Sequence, residues 1–147
     1  MQICKPRRVF RILIVEDNKM RAGKLLSWLP QSVMAVVAAS AGRAIGILQR
    51  DRGSVYAGIM LDHDLQENVV TCDEMDLSGK NVVDVIIKNI SKDVPIFVHS
   101  MNINQAPAMV ERLEKAGFEV TRIPFAHLTQ AKLNNWIEEV REIWDGK

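Results

Sequence analysis

The feature that most constrains the fold is a short apolar run that stops abruptly at charged residues. The run Ile-Met-Leu at residues 59–61 is followed directly by Asp62, His63 and Asp64. A short, continuously apolar run is typical of a strand that is buried on both faces, as in a parallel sheet. In open α/β sheets, ligands bind beyond the carboxyl ends of the strands. The pattern therefore predicts where a site lies before it predicts what the site does.

Four more apolar runs of this kind alternate with segments of helical periodicity. We expect strands over residues 9–15, 33–39, 56–61, 95–100 and 118–123. Right-handed crossovers with helices on both faces predict a three-layer (βα)5 sandwich of the α/β class. Its parallel five-stranded sheet has the expected order 2-1-3-4-5. One domain over residues 1–147, with its core at about 9–144, accounts for the pattern.

The predicted helices begin at residues suited to capping. Asp17 or Asn18 can cap the first helix, Ser40 the second and Ser78 the third. The acidic stretch over residues 66–77 has no clear periodicity, so we predict a loop there.

Bulk composition excludes several classes of protein. A length of 147 residues is enough for one hydrophobic core, and a net charge of +1 gives no electrostatic argument for binding nucleic acid or membrane. No apolar run approaches the ~20 residues that a membrane span requires. Cys4 and Cys72 form no disulfide framework. We therefore expect a cytoplasmic protein with reduced thiols.

Polar residues follow three of the predicted strands. Glu16 and Asp17 come after the first strand, the Asp62–Asp64 stretch after the third, and His99 and Ser100 after the fourth. In the predicted topology these strand ends meet at one crevice. Crowded carboxylates should bind protons unless a cation is present. Oxygen ligands of this kind suit Mg²⁺, and Mg²⁺ suits phosphoryl chemistry.

Each of these residues also has an ordinary structural explanation. Asp17 can be only a helix cap, and Asp64 only a turn residue. His63 can be a solvated loop residue, and His127 is predicted to lie on the surface. His99 can be a packed histidine.

The direction of the His99 side chain depends on where its strand ends. Strand alternation places Phe97 and His99 on one face and Val98 and Ser100 on the other. Both His99 and Ser100 therefore enter the crevice only if the strand ends at Val98.

Several motifs resemble those of response-regulator receiver domains. The motifs are Arg-Ile-Leu-Ile-Val-Glu-Asp-Asn at residues 11–18, Ile-Met-Leu-Asp at 59–62, Ser-Gly at 78–79, Ser100, and Pro-Phe at 124–125. The resemblance implies Mg²⁺ bound by the acidic pair and a phosphoryl group accepted on Asp62. Three departures are Ile123 in place of the family's lysine, Gln66 in place of a frequent proline, and the long loop that follows.

Two motifs together resemble a smaller receiver-like family, the cyclic-phosphate processing receiver domains. They are Leu-Asp-His-Asp-Leu at residues 61–65 and His-Ser-Met-Asn at 99–102. The resemblance implies a site for cyclic phosphate ends of nucleotides or nucleic acids. Two histidines can supply a base and an acid, and a metal can neutralise phosphate charge. The implied catalytic residues are Asp62, His63, Asp64, His99, Ser100 and Asn102, and the implied metal ligands are Glu16, Asp17 and Asp62.

Three functions remain open from the sequence. The leading prediction is a divergent receiver-like domain of the cyclic-phosphate processing type, with an acidic pocket for Mg²⁺ and phosphate chemistry. As an enzyme it would be a metal-dependent cyclic phosphate hydrolase or phosphodiesterase. Its partner is then a phosphate-containing small molecule or nucleic-acid end. The alternatives are a stand-alone receiver phosphorylated on Asp62 by a histidine kinase, and a non-catalytic pseudo-receiver that binds a protein partner. The missing lysine at Ile123 favours the first and third of these functions.

Overall fold

A computed structural model of the chain describes residues 8–51, 55–65 and 77–147. Five apolar runs form one parallel sheet in the order β2-β1-β3-β4-β5, which confirms the predicted fold class and strand order. The loop predicted over residues 66–77 lies, except for Leu77, outside the described residues, as do Cys4 and Cys72. The strands are β1 (Arg11–Val15), β2 (Met34–Ala38), β3 (Gly58–Leu61), β4 (Ile96–Val98) and β5 (Val120–Arg122).

Helices connect the strands, and a further helix follows the last strand. A short 3-10 helix, Phe125–His127, follows β5 and carries His127, which is exposed as predicted. The α-helices in the described residues are α1 (Lys19–Trp28), α2 (Ala41–Arg50), α3 (Gly79–Asn89), α4 (Gln105–Lys115) and α5 (Gln130–Asp145).

Polar side chains cap the helices next to the predicted site. Asn18, and not Asp17, caps α1, because its side chain accepts a hydrogen bond from the Arg21 N–H. Ser40 caps α2. Ser78 begins α3 with a capping box in which Asn81 bonds back to the Ser78 backbone. Because Asn18 caps α1, Asp17 does not have the capping role that the sequence allowed for it.

Each strand is shorter than its apolar run. Phe10 and Pro95 lie just outside β1 and β4, and each still accepts one backbone hydrogen bond from the sheet. The hydrogen-bonded ladder therefore ends before the apolar character of the sequence does.

Two apolar clusters, one on each face of the sheet, hold the three layers together. Val15, Leu61 and Val98 belong to the cluster that packs against α2, α3 and α4. Met60 and Phe97 belong to the other cluster, which packs against α1 and α5. Both faces are buried, as expected for a parallel sheet. The buried residues that α5 contributes are Leu133, Trp136, Ile137, Val140 and Trp144.

The register of the sheet aligns the strand ends. Val15 pairs with Leu61, and Leu61 pairs with Val98, so these residues form one row across the three central strands. Hydrogen bonds from the next residues continue this row at its carboxyl edge. The residues after the row are therefore neighbours in space. Among the described helices, none is both long and apolar enough to cross a bilayer.

Candidate functional site

Three titratable side chains follow the aligned row at the carboxyl edge of the sheet. Glu16, Asp62 and His99 are all buried. One possible ligand atom from each lies within 4.8 Å of those of the other two. We call these three residues, together with Arg21, the inner cluster. It forms because parallel pairing in register brings the first residue after each of three neighbouring strands to the same place.

His99 is directed into the inner cluster because β4 ends at Val98. This end point is the condition under which the sequence allowed both His99 and Ser100 to reach the crevice. His99 is only 1% exposed, and its Nε2 lies 3.2 Å from Glu16 Oε1. Among the described residues, its buried Nδ1 has no hydrogen-bond partner. His99 is thus packed and also in contact with the acidic residues.

Arg21 is the member of the inner cluster that the sequence motifs did not indicate. Its Nε and Nη2 donate to the two carboxylate oxygens of Glu16 over 3.0 and 3.1 Å. Nη2 also lies 3.7 Å from Asp17 Oδ1 and 3.6 Å from Asp62 Oδ2. The available signal was the spacing of four residues between Asp17, which precedes the cap of α1, and Arg21 in the first turn of that helix.

The charges in the inner cluster set the protonation of its two carboxylates in opposite directions. Burial raises the pKa of Glu16, but hydrogen bonds from His99 and Arg21 outweigh burial and lower that pKa to about 2. Burial and the negative charge of Glu16 raise the pKa of Asp62 to about 6. Asp62 is therefore the carboxylate whose charge lacks sufficient compensation from the protein.

Asp17, predicted as a metal ligand, is buried beside this cluster rather than within it. The group of three possible ligand atoms consists of Glu16, Asp62 and His99. Asp17 Oδ1 lies 3.7 Å from Arg21 Nη2, so Asp17 interacts with the inner cluster through this ion pair. A cation at the inner cluster would therefore meet two predicted ligands, with a nitrogen from His99 in addition.

Three further motif residues, His63, Asp64 and Asn102, lie closer to solvent than the three buried members of the inner cluster. Asp64 Oδ1 is 2.8 Å from His63 Nδ1 and 3.3 Å from Asn102 Nδ2. The His63 side chain is 13% exposed and that of Asp64 is 68% exposed. We call His63, Asp64 and Asn102 the outer cluster. Its contacts join the loop after β3 to the loop after β4, which brings the two motifs together.

Asn102 and Ser100 also shape the loop that carries them. Asn102 Oδ1 accepts hydrogen bonds from the backbone N–H groups of Asn104 and Gln105, at the start of α4. Ser100 is buried, and its Oγ accepts a bond from the Asn102 N–H. Both side chains therefore position the outer cluster, whatever else they contact.

Gly79 holds the two clusters in place from α3. Its N–H donates to the His63 carbonyl over 2.8 Å. A Cβ at this position would lie 2.5 Å from the Asp62 carbonyl oxygen and 2.6 Å from His63 Cα. These distances are too short for any side chain. Glycine is required because the helix approaches the backbone that carries Asp62 and His63.

Ile123 lies at the position where the receiver resemblance implies a lysine. It follows β5 next to the His99 position, and its N–H donates to the Val98 carbonyl. Its side chain packs on the α1/α5 cluster. The side of the site formed by β5 is therefore apolar at this position.

The model of one protein family, the cyclic-phosphate processing receiver domain, matches residues 11–115. The chain belongs to this family. Both clusters lie within the matched residues, which also include the sequence motifs that suggested the resemblance. No significant match was found among curated proteins.

Solved receiver domains share the fold of this cyclic-phosphate processing receiver domain at low sequence identity. A CheY-like receiver domain from Methanospirillum hungatei is 15% identical, covers 95% of this chain and 99% of its own, and has a TM-score of 0.67. The receiver domain of a sensor histidine kinase from Pseudomonas aeruginosa is 21% identical, covers 94% and 98%, and has a TM-score of 0.65. That protein holds a magnesium ion in its active-site cleft.

The inner cluster of this receiver domain is chemically suited to a divalent cation. Two carboxylates and an imidazole supply oxygen and nitrogen ligands at one point. Burial, and then the negative charge of Glu16, raise the pKa of Asp62, and a cation would favour its ionised form. Carboxylates suit Mg²⁺, and an added imidazole also suits Mn²⁺ and Zn²⁺. The residues present therefore fit a metal.

Proposed function

We propose that this receiver domain binds a divalent cation at the inner cluster and opens cyclic phosphate esters with the outer cluster. The observation that carries the proposal is the pair of contacts made by Asp64. One oxygen of Asp64 contacts His63 from the first motif and Asn102 from the second. These contacts support the proposal because the histidine of this histidine–carboxylate pair directly follows Asp62, whose Oδ1 accepts a hydrogen bond from the His63 N–H.

The tautomer of His63 follows from its bond to Asp64. When Nδ1–H donates to the carboxylate, the neutral ring leaves Nε2 unprotonated and able to accept a proton. The carboxylate also orients the ring, as in other histidine–carboxylate pairs in catalytic sites. Partial exposure of His63 allows a substrate to reach it. We assign proton transfer to Nε2 of His63.

The balanced reaction is hydrolysis of a cyclic phosphodiester. The oxygen of a water molecule forms a bond to phosphorus, and one ester P–O bond of the ring breaks. The water loses a proton to Nε2 of His63, which then returns that proton to the departing oxygen, so the products are a phosphomonoester and a free hydroxyl group. A bound divalent cation would supply neutralisation of phosphate charge and activation of water.

His99 has a different role in this proposal. Complete burial separates it from solvent, so we assign it to the orientation of Glu16 and to the metal-ligand set. We assign Ser100 and Asn102 to the positioning of the loop that follows β4. Asp17 supports the cluster electrostatically.

The test is turnover of 2′,3′-cyclic CMP and of RNA with a 2′,3′-cyclic end, in Mg²⁺ and in EDTA. We expect hydrolysis by the wild type in Mg²⁺ only, and its loss in Asp62→Asn. Thermal unfolding provides a second measurement, because a cation that binds only the native state raises Tm by mass action. The proposal is wrong if Mg²⁺ raises Tm but neither ester is hydrolysed under any metal condition.

Phosphorylation of Asp62 is the second candidate function. Its carboxylate follows β3 at the centre of the sheet edge, where the receiver resemblance implies a phosphoacceptor. The apolar Ile123 argues against efficient use of such a group. Incubation with acetyl phosphate and Mg²⁺ followed by intact mass measurement decides between the two functions. A stoichiometric adduct that is absent in Asp62→Asn, without ester hydrolysis, would favour signalling and a histidine kinase partner.

A further inference from the structure

Arg21 has contacts that the proposed function leaves unused. Its guanidinium pairs with both oxygens of Glu16 and lies within 4 Å of carboxylate oxygens of Asp17 and Asp62. It projects from the first turn of α1, where Asn18 fixes the start of the helix. Three carboxylates from two strand ends thus share one guanidinium.

The guanidinium is also accessible from outside. The Arg21 side chain is 34% exposed, whereas those of Glu16 and Asp62 are almost fully buried. The pair with Glu16 uses two of the five N–H donors of arginine, so three are left for another anion. Arginine matches phosphate oxygens in the same two-point geometry that it uses with carboxylates.

Charge balance explains why Arg21 can change partners. Glu16 and Asp62, when ionised, carry two negative charges against one on Arg21. A cyclic phosphodiester brings one more negative charge, so it would be repelled. A divalent cation adds two positive charges and leaves one positive charge in excess, which the phosphate balances. Once that cation is bound, it neutralises the carboxylates. The Arg21 guanidinium is then attracted more strongly to the phosphate than to Glu16.

We propose that Arg21 is the phosphate-binding residue of this site, and that its guanidinium moves from Glu16 to the phosphate oxygens when a divalent cation binds the carboxylates. This inference rests on the proposed function, because it concerns the same site and the same class of ester. It identifies α1 as the source of the positive charge that the apolar Ile123 does not bring from the β5 side.

The proposal predicts two effects of opposite sign in Arg21→Gln. Calorimetric titration with Mg²⁺ alone should show affinity increased by about 3- to 10-fold, because a competing cation has been removed. Titration with inorganic phosphate and with 2′,3′-cyclic CMP, in saturating Mg²⁺, should show affinity reduced by roughly 10- to 100-fold. In turnover, the loss should appear mainly in KM. Arg21→Lys should recover part of the phosphate affinity.

Lys19→Gln is the matched control. Lys19 lies in the same turn of α1 and is exposed, so its replacement removes one positive charge without removing a contact to the cluster. Both affinities should stay within about 2-fold of the wild type, since exposed charges at a distance are screened. Arg21→Lys also keeps the test valid if Arg21→Gln folds poorly, because the lysine retains the charge.

The outcomes separate the inference from the function on which it rests. If the wild type binds phosphate in Mg²⁺ and Arg21→Gln binds it equally well, Arg21 is only a structural partner of Glu16 and the proposed function stands. The same conclusion follows if Mg²⁺ and phosphate affinities both fall in the variant. If the wild type binds neither phosphate nor the cyclic nucleotide in Mg²⁺, both proposals are overturned together.

Discussion

Two histidines at the same edge of the sheet have opposite surroundings. His99 is 1% exposed and contacts Glu16 within the inner cluster. His63 is in the outer cluster, where its ring contacts the largely exposed Asp64. The difference comes from position, because His99 directly follows its strand in the aligned row and His63 is one residue further along. A single residue of offset therefore separates a histidine suited to structure and metal binding from one suited to proton transfer.

The largest expected effect is on the activity of His63→Ala, and the stability of the same variant distinguishes His63 from His99. His63→Ala should reduce kcat for a 2′,3′-cyclic nucleotide by roughly 10²–10⁴-fold, the usual effect of removing a general acid or base. Its unfolding free energy should fall by about 1 kcal/mol, less than in His99→Ala, because the His63 ring is partly exposed and its hydrogen-bonded partner is the exposed Asp64. Steady-state kinetics and urea denaturation measure both values. Full activity in this variant would show that the outer cluster does not carry out proton transfer.

His99→Ala should act first on stability. It creates a cavity and removes a hydrogen bond to a buried carboxylate, so we expect a loss of about 2–4 kcal/mol in unfolding free energy. Activity should fall as well, because Glu16 loses an orienting partner. If His99→Ala were as stable as the wild type, the distinction between a packed and an accessible histidine would be wrong.

The two carboxylates of the inner cluster should respond to pH in opposite ways in EDTA. Asp62 has a pKa raised from 3.8 to about 6, so the native state binds more protons than the unfolded state between these values, and stability rises as pH falls through this window. Glu16 has a pKa lowered from 4.5 to about 2, so its contribution is present above pH 4.5 and is lost as pH falls towards 2.

Replacement of each carboxylate isolates its part of this pH dependence. Asp62→Asn should stabilise the metal-free protein by up to about 3 kcal/mol above pH 6, and this gain should disappear below pH 4. Glu16→Gln should destabilise the protein above pH 4.5 by a similar amount. Urea denaturation from pH 3 to 8 measures the differences from the wild type. A gain in Asp62→Asn that does not depend on pH would contradict the charge argument.

The smallest expected effect concerns the backbone that holds the two clusters together. Gly79→Ala should cost about 1–3 kcal/mol, because the new Cβ must displace the backbone of Asp62 and His63. Gly23→Ala is the matched control. That position is exposed in α1 with no atom within 4 Å of a new Cβ, so it should gain about 0.5–1 kcal/mol. Thermal and urea unfolding of both variants measure the contrast, and an equally stable Gly79→Ala would show that α3 can move away.

The sequence by itself determined the sheet and the place of the site. Short apolar runs that alternate with amphipathic helices permit few topologies, and the predicted order 2-1-3-4-5 is the observed one. Asp62 and Glu16 could be assigned to one crevice because parallel strands bring their carboxyl ends together. The two motifs around His63 and His99 also sufficed to indicate the family whose model matches the chain.

Only the tertiary structure decided how these residues divide into two clusters. The end of β4 at Val98 directs His99 inward, and local sequence could not predict it because ladder pairing depends on neighbouring strands. Arg21 could not be assigned either, since a charged residue on an exposed turn usually faces solvent. It turns towards the sheet because three carboxylates from two strand ends meet beside it. Such long-range attraction exists only once the chain has folded.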